Sequence, residues 1–260
     1  MNFGVVNEIQ FFAFWLAFSR WIAVLYQLPL FDNAVVPQIL KVLISAILTF
    51  AFFPYVEGTL IAEIKAVGVD QIWALTMFHT MTGLILGFLV KSIMSLFIAA
   101  GSILTTQIGF ASVNYFDPTQ AQQVGPFERI VEWTLLILVL SSGALVPMFK
   151  GILMSFHSIN FLNADRLFKS PEYFVLFFKS AFSSAIILAG PLIFANLLMN
   201  LVFGIIARTI PQMNVLMVSF VVNIGMGLIL FIGISEEFFQ VSFELYLEKL
   251  GEWFQFITQV

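Results

Sequence analysis

The chain has 260 residues, of which 60% are apolar and only 10% charged, and its mean hydropathy is +1.01. Soluble domains run about 45–50% apolar and about 25% charged, so the excess, spread along the whole length, describes a polytopic membrane protein with no soluble domain attached. A net charge of -4 argues against nucleic acid as a partner. Zero cysteines exclude disulfides, thiolate metal sites and cysteine nucleophiles, and two histidines, His79 and His157, are too few for a histidine-built metal centre.

Six hydrophobic segments can be read, at roughly 11–31, 38–56, 71–99, 127–149, 174–207 and 213–239. Each is near or above the ~20 apolar residues that cross a bilayer core, which predicts an all-α fold of about six membrane-type helices arranged as hairpins. The first run starts near Phe11 behind an acidic N-terminus and lacks a small-x-small cleavage site, so it reads as a retained helix and not a signal peptide. Arg20 sits at its centre. Pro29 and Pro37 bracket the first connection, and Pro54 is expected to end the second segment, leaving Glu57, Glu63 and Asp70 in an acidic 57–70 loop.

The third segment carries His79, read as a satisfied core histidine, then Gly83 and Gly87, a small-xxx-small pair that lets two helices approach closely. Lys91 follows, and the apolar run continues through Ile103 and Thr106 towards Gln107. Gly143 and Pro147 weaken the end of the fourth segment. Gly190-Pro191 interrupts the fifth, which predicts a kink or two shorter helices stacked end to end. The third and fifth outrun the hydrocarbon, and helices that do so must tilt, kink or leave it. That suits a protein buried inside a larger assembly.

The fifth and sixth segments are joined by one short polar hinge, Ala207-Arg208-Thr209-Ile210-Pro211-Gln212-Met213-Asn214. It holds one permanent cation, a proline and two side-chain amides, too few groups for catalysis and enough for docking. The last helix ends acidic, with Glu236, Glu237, Glu244, Glu248 and Glu252 on a solvated face or against a partner.

Three cations lie inside apolar runs: Arg20, Lys91 and Lys179. Intramembrane charge is costly and usually faces protein or water, so each reads either as part of a solute path or as a contact to a neighbouring helix end. No carboxylate accompanies them in those helices, and a proton relay lacks its usual partner. The 32 phenylalanines read chiefly as lipid-facing and interhelical packing, with a minority available to line a gate. No hydrolase, kinase or dinucleotide motif is present, and Gly101, Gly109, Gly125 and Gly151 form no phosphate loop. No catalytic, cofactor-binding or metal-binding residues are assigned, and an enzyme is not expected. Basic residues favour termini in the cytoplasm, but the acidic 57–70 stretch offsets them and the orientation stays open.

Between the third and fourth segments, residues 107–126 carry Phe110, Tyr115 and Phe116 ahead of a turn-forming Asp117-Pro118. Such a loop either lies at the bilayer interface or folds back into an assembly as an apolar constriction.

Asn200-Leu201, Gly204, Ala207-Arg208, Pro211-Gln212 and Asn214 resemble the signature hairpin of the FliR family, the R subunits of the flagellar export gate, whose injectisome counterpart is SctT. The loop with Gly109, Phe110, Asp117-Pro118 and the downstream Arg129-Ile130 is similar to the family's central loop. Arg20, Pro29, Pro37 and Lys41, with Gly83 and Gly87, also fall where the family places such residues. The resemblance covers nearly the whole chain. It departs after Ser219-Phe220, where the family often has a proline and this chain has Val221, so a family-style kink there is not expected.

The resemblance implies one export-gate membrane domain over 1–260, with a P-subunit-like half at about 1–130 and a Q-subunit-like half at about 131–260, packed in a helical multi-subunit assembly. It implies P and Q subunits as partners in a pore for unfolded export substrates, and contacts with the export-switch membrane protein (B subunit), the large export-gate protein (A subunit) and membrane lipid. The location implied is the bacterial inner membrane, in the flagellar basal body. Phe110, Tyr115, Phe116, Asp117 and Pro118 become the pore plug. Arg20, Gly83, Gly87, Lys91, Asn200, Gly204, Arg208, Pro211, Gln212 and Asn214 become helix or subunit interface residues. The wording of the hinge leans towards the flagellum over the injectisome. A secondary transporter is the competing class; it predicts an internal repeat and a polar midplane site, and neither is evident.

Overall fold

The structure is a computed structural model that describes residues 8–28, 31, 36–109, 126–163, 171–210, 212 and 214–259. Among these no strand forms. The helices are α1 (Glu8–Gln27), α2 (Gln38–Val67), α3 (Ile72–Ile108), α4 (Pro126–Ser141), α5 (Leu145–Ser158), α6 (Pro171–Thr209) and α7 (Val215–Gln259), with single 3-10 turns at Val69–Gln71 and Phe161–Asn163. By length and composition α1, α2, α3, α6 and α7 are each able to cross a membrane, and α4 with α5 supplies a sixth span if the two count as one.

The polar residues inside these apolar helices are largely folded back on their own backbone. On α3 the hydroxyls of Thr76, Thr80, Thr82, Ser92, Thr105 and Thr106 each donate to the carbonyl four residues earlier. That satisfies a hydroxyl without water and lets it sit in an apolar medium.

Several boundaries differ from the sequence expectation. Pro54 does not end the second segment: α2 runs on to Val67 with Pro54 inside it, so 57–67 is helix and not an acidic loop. Proline forfeits one backbone bond, to the Phe50 carbonyl. Val56, Leu60 and Ile64 continue the buried face beyond it, and their packing outweighs that loss. Likewise α6 is one helix through Gly190-Pro191, with Leu188, Ala189 and Leu192 buried on either side of the proline, so two stacked helices are ruled out. The fourth segment does break. Gly143 takes a φ of +73°, which ends α4 and allows α5 to begin, and Pro147 lies in the first turn of α5, where a missing N–H costs no helical bond. α3 extends to Ile108, as its apolar run indicates, and α7 continues well past residue 239 to Gln259.

The chain forms two compact units. The first comprises Met1–Met94, Ala144–Val175 and Lys249–Val260; the second comprises Ser95–Gly143 and Leu176–Glu248. In the first, Leu16, Ala17, Trp21, Leu60, Ile64 and Trp253 are fully buried, and the Trp21 ring lies 5.9 Å from both Phe52 and Phe149. In the second, Leu104, Ile108 and Val131 are fully buried. Gly101 lets Val131 approach so closely that an added Cβ would lie 2.9 Å from its methyl carbon.

Candidate functional site

The first unit holds a buried polar cluster. Arg20, with no exposed surface, donates from Nη1 to the Ser155 carbonyl at 2.8 Å and from Nη2 to the Ile159 carbonyl at 3.0 Å. Its guanidinium also lies 4.3 Å from the centre of the Phe156 ring. The Ser155 carbonyl also accepts from the Ile159 N–H that caps α5, while the Ile159 carbonyl lies just past the helix, where carbonyls lack intrahelical partners and a cation is favourable. Glu63, on α2, is 3% exposed and accepts from the Phe161 N–H at 2.5 Å and from His79 Nε2, on α3, at 3.1 Å. His79 is thus a buried, hydrogen-bonded histidine whose Nδ1 has no partner. A second polar link joins Thr59 Oγ1 and His157 Nδ1 at 2.9 Å. Together these tie α1, α2 and α3 to the end of α5 and the turn after it.

Glu63 corrects the sequence reading. Placed in a loop there, it is instead a buried helical carboxyl, found because α2 continues past Pro54. Its partners His79 and Phe161 lie 16 and 98 residues away, a pairing no local pattern displays.

Gly83 and Gly87 line the α1–α3 contact. A Cβ on Gly83 would lie 2.5 Å from the Arg20 carbonyl oxygen, and one on Gly87 would lie 2.9 Å from that of Val24. The small-xxx-small pair therefore brings the backbones of α1 and α3 together and fixes the height of Arg20. Lys91 and Lys179 are on exposed positions.

In the second unit, the hinge residues Arg208, Gln212 and Asn214 are exposed. Asn214 caps α7: its Oδ1 accepts from the Met217 N–H at 3.3 Å and its carbonyl from the Val218 N–H at 3.2 Å. Asn200 Nδ2 donates to Asn196 Oδ1 at 2.6 Å, and nothing lies within 4 Å of where a Cβ on Gly204 would stand. Pro211 and the loop residues Phe110, Tyr115, Phe116, Asp117 and Pro118 lie outside the described residues.

One further constellation was not singled out from sequence. The end of α3 meets α6 and α7 at a notch lined by Gln107, Asn196, Met199, Asn223 and Gly227. There Asn196 Nδ2 donates to the Gln107 carbonyl. Asn196 and Asn200, four apart on α6, were a legible signal: two amides on one face of an apolar helix seek polar partners. Among the described residues, no three His, Asp or Glu side chains gather as a metal site. What the two clusters offer chemically is packing and hydrogen bonding, through one guanidinium, one carboxylate and imidazoles in the first and through amides and a carbonyl in the second.

Residues 11–248 match the protein family described as Bacterial export proteins, family 1. Among individual relatives, the flagellar biosynthetic protein FliR of Bacillus subtilis is 28% identical over 228 residues, 85% of each chain. That of Aquifex aeolicus is 25% identical over 228 residues, 87% of this chain and 86% of its own. The surface presentation of antigens protein SpaR of Shigella flexneri is 24% identical over 210 residues, 79% of this chain and 78% of its own. With a match that runs from the start of α1 nearly to the end of α7, the chain belongs to the bacterial export proteins, family 1, the family of FliR.

Proposed function

We propose that this chain is a membrane subunit of the flagellar type III export gate, forming with P and Q subunits the pore through which unfolded flagellar proteins leave the cell. The observation that carries this is the family match over residues 11–248 together with FliR relatives that align over most of both chains. The shape of the hydrophobic surface supports it. On α6, large apolar side chains stand exposed from Val175 to Ile205. That interval is about 30 residues, or about 45 Å of helix. A hydrocarbon core is about 30 Å thick, so lipid could cover such a stripe only at a tilt near 50°, beyond the usual range of about 0–40°. Cover of the remainder by neighbouring helical subunits fits this reading.

In this reading the 1–130 half is P-like and the 131–260 half Q-like, and the chain sits in the inner membrane at the base of the flagellum. The B and A export-gate proteins are its further neighbours. The loop with Phe110, Tyr115, Phe116, Asp117 and Pro118 plugs the pore when idle: an apolar constriction excludes ions by dewetting and can be displaced by a polypeptide. Arg208, Pro211, Gln212 and Asn214 at the hinge, with Lys91, Asn200 and Gly204, face neighbouring subunits. The relationship to SpaR makes an injectisome gate the second reading, and the genes beside this one decide between them.

Purification in mild detergent tests the assignment. A stable complex with two other small membrane proteins is expected; a monodisperse lone chain that binds a solute would establish a transporter instead. Deleting 110–116 is expected to raise ion leakage through the assembled gate, and unchanged conductance removes the plug from the account.

A further inference from the structure

The α1–α2 hairpin is built with its polar side inward. Three contacts fix its register: Gln10 Nε2 donates to Glu57 Oε1 at 3.0 Å, the Phe14 and Phe53 rings lie 5.6 Å apart, and Lys41 Nζ stands 4.9 Å from the centre of the Tyr26 ring. The two helices therefore run antiparallel, with Gln10 and Glu57 at one end and Tyr26 and Lys41 at the other. Along this pair Ser19, Arg20, Lys41, Ser45 and Thr49 are buried. The Ser45 and Thr49 hydroxyls donate to the carbonyls four residues earlier, each at 2.7 Å. The outward side is the reverse. On α2 every side chain between Gln38 and Glu57 that is not buried is apolar or aromatic, and the same holds on α1 between Gln10 and Gln27. Ile39, Leu43, Ile47, Phe50 and Tyr55 are each more than half exposed. A helix facing water turns its polar residues outward. One that hides them and presents bare hydrocarbon suits an apolar solvent.

Dimensions select the occupant. The apolar face between Gln38 and Glu57 is about 28 Å of helix, against a bilayer hydrocarbon core of about 30 Å. A tyrosine marks each end, Tyr26 beside Lys41 and Tyr55 just before Glu57, and both are more than half exposed. Tyrosines collect at the two headgroup levels of a bilayer, where the ring is apolar and the hydroxyl wet. The α6 stripe differs on both counts: it runs about 45 Å, and exposed Lys179 and Asn200 lie within it.

We infer that the outward face of the α1–α2 hairpin is the lipid contact of this chain. Acyl chains cover it from Tyr26 at one headgroup level to Tyr55 at the other, and Ile47 lies near the bilayer midplane. This goes beyond the export-gate reading, which places neighbours on α6 and at the hinge and assigns no depth to α1 or α2. It holds whichever complex the chain joins.

The chain has no cysteine, so Ile39→Cys, Leu43→Cys, Ile47→Cys, Phe50→Cys and Tyr55→Cys can each carry one nitroxide label. The labelled chain is reconstituted, in the complex with which it purifies, into phosphatidylcholine vesicles. Collision with oxygen, which concentrates at the bilayer centre, should be greatest at position 47 and fall towards 39 and 55. Collision with a water-soluble nickel chelate should run the opposite way. Positions 43 and 50 report the centre should a label at 47 prevent assembly. Nickel collision as frequent at the centre as at the ends makes the face water-exposed and overturns the inference. Shielding of the central positions from both probes makes it a protein interface and overturns it equally. If no P and Q subunits are recovered with the chain, the gate assignment fails, while the depth profile still decides what covers the hairpin.

Discussion

The cluster around α1 and the outer faces of α6 and α7 solve opposite problems with similar residues. In α1 half of the span is buried, and its single cation, Arg20, is turned inward onto the carbonyls of Ser155 and Ile159. In α7 only 11% of an apolar 18-residue stretch is buried, and side chains such as Val221, Ile229 and Ile232 stand outward. Both helices read as ordinary membrane spans by hydropathy. The difference is whether a helix finds its partners within the chain or must find them elsewhere. A buried guanidinium needs its acceptors supplied by the same fold, because leaving them out costs several kcal/mol. An exposed apolar stripe costs nothing in lipid or against another subunit, and is a liability only in water.

Substitutions that separate the two regions should differ in what they break. The largest effect is expected at Arg20. Arg20→Leu removes the donor to two buried carbonyls and should cost about 3–5 kcal/mol. It would be seen as loss of folded protein from membranes and of the cooperative transition reported by the buried Trp21. Next comes Gly83→Val, whose Cβ would stand 2.5 Å from the Arg20 carbonyl oxygen and force α1 from α3. About 1–3 kcal/mol is expected, measured as a lower melting temperature in detergent. Glu63→Gln keeps the shape and one acceptor but loses the charged partner of His79 and Phe161. About 1–2 kcal/mol is expected by the same assay.

On the hairpin the pattern inverts. Gly204→Leu and Leu201→Ser should shift the melting temperature of the isolated chain by the equivalent of no more than about 0.5 kcal/mol, since Gly204 has nothing within 4 Å and Leu201 is 61% exposed. Both should instead reduce recovery of the chain in a complex with its partners. A large loss of intrinsic stability from either would erase the distinction between the two regions.

How much of this the sequence displayed depended on the range of the interaction involved. The helical class, the breadth of the apolar runs and the close-contact glycines Gly83 and Gly87 follow from local composition and spacing. Pro54 did not end its helix, and Pro191 did not split its helix in two, because a proline removes one local bond while the buried faces Val56–Leu60–Ile64 and Leu188–Leu192 carry the helix through it. The Glu63–His79–Phe161 and Arg20–Ser155–Ile159 contacts were hidden because each joins residues separated by up to 139 positions. The hinge was legible as polar, but the capping of α7 by Asn214 shows that one of the residues proposed for docking also serves the chain's own fold.

The central claim is that the outward apolar stripe of α6 is covered by other subunits over more of its length than a bilayer could reach. Single cysteines placed at Val175, Ile186, Phe194, Leu201 and Ile205, in a chain that has no other, test it directly. In the assembled gate, protection from both a water-soluble and a lipid-dissolved thiol reagent is expected over most of this stripe, and protection should be lost when the chain is expressed without its partners. Free reaction with the lipid-dissolved reagent at all five positions in the intact gate would contradict it.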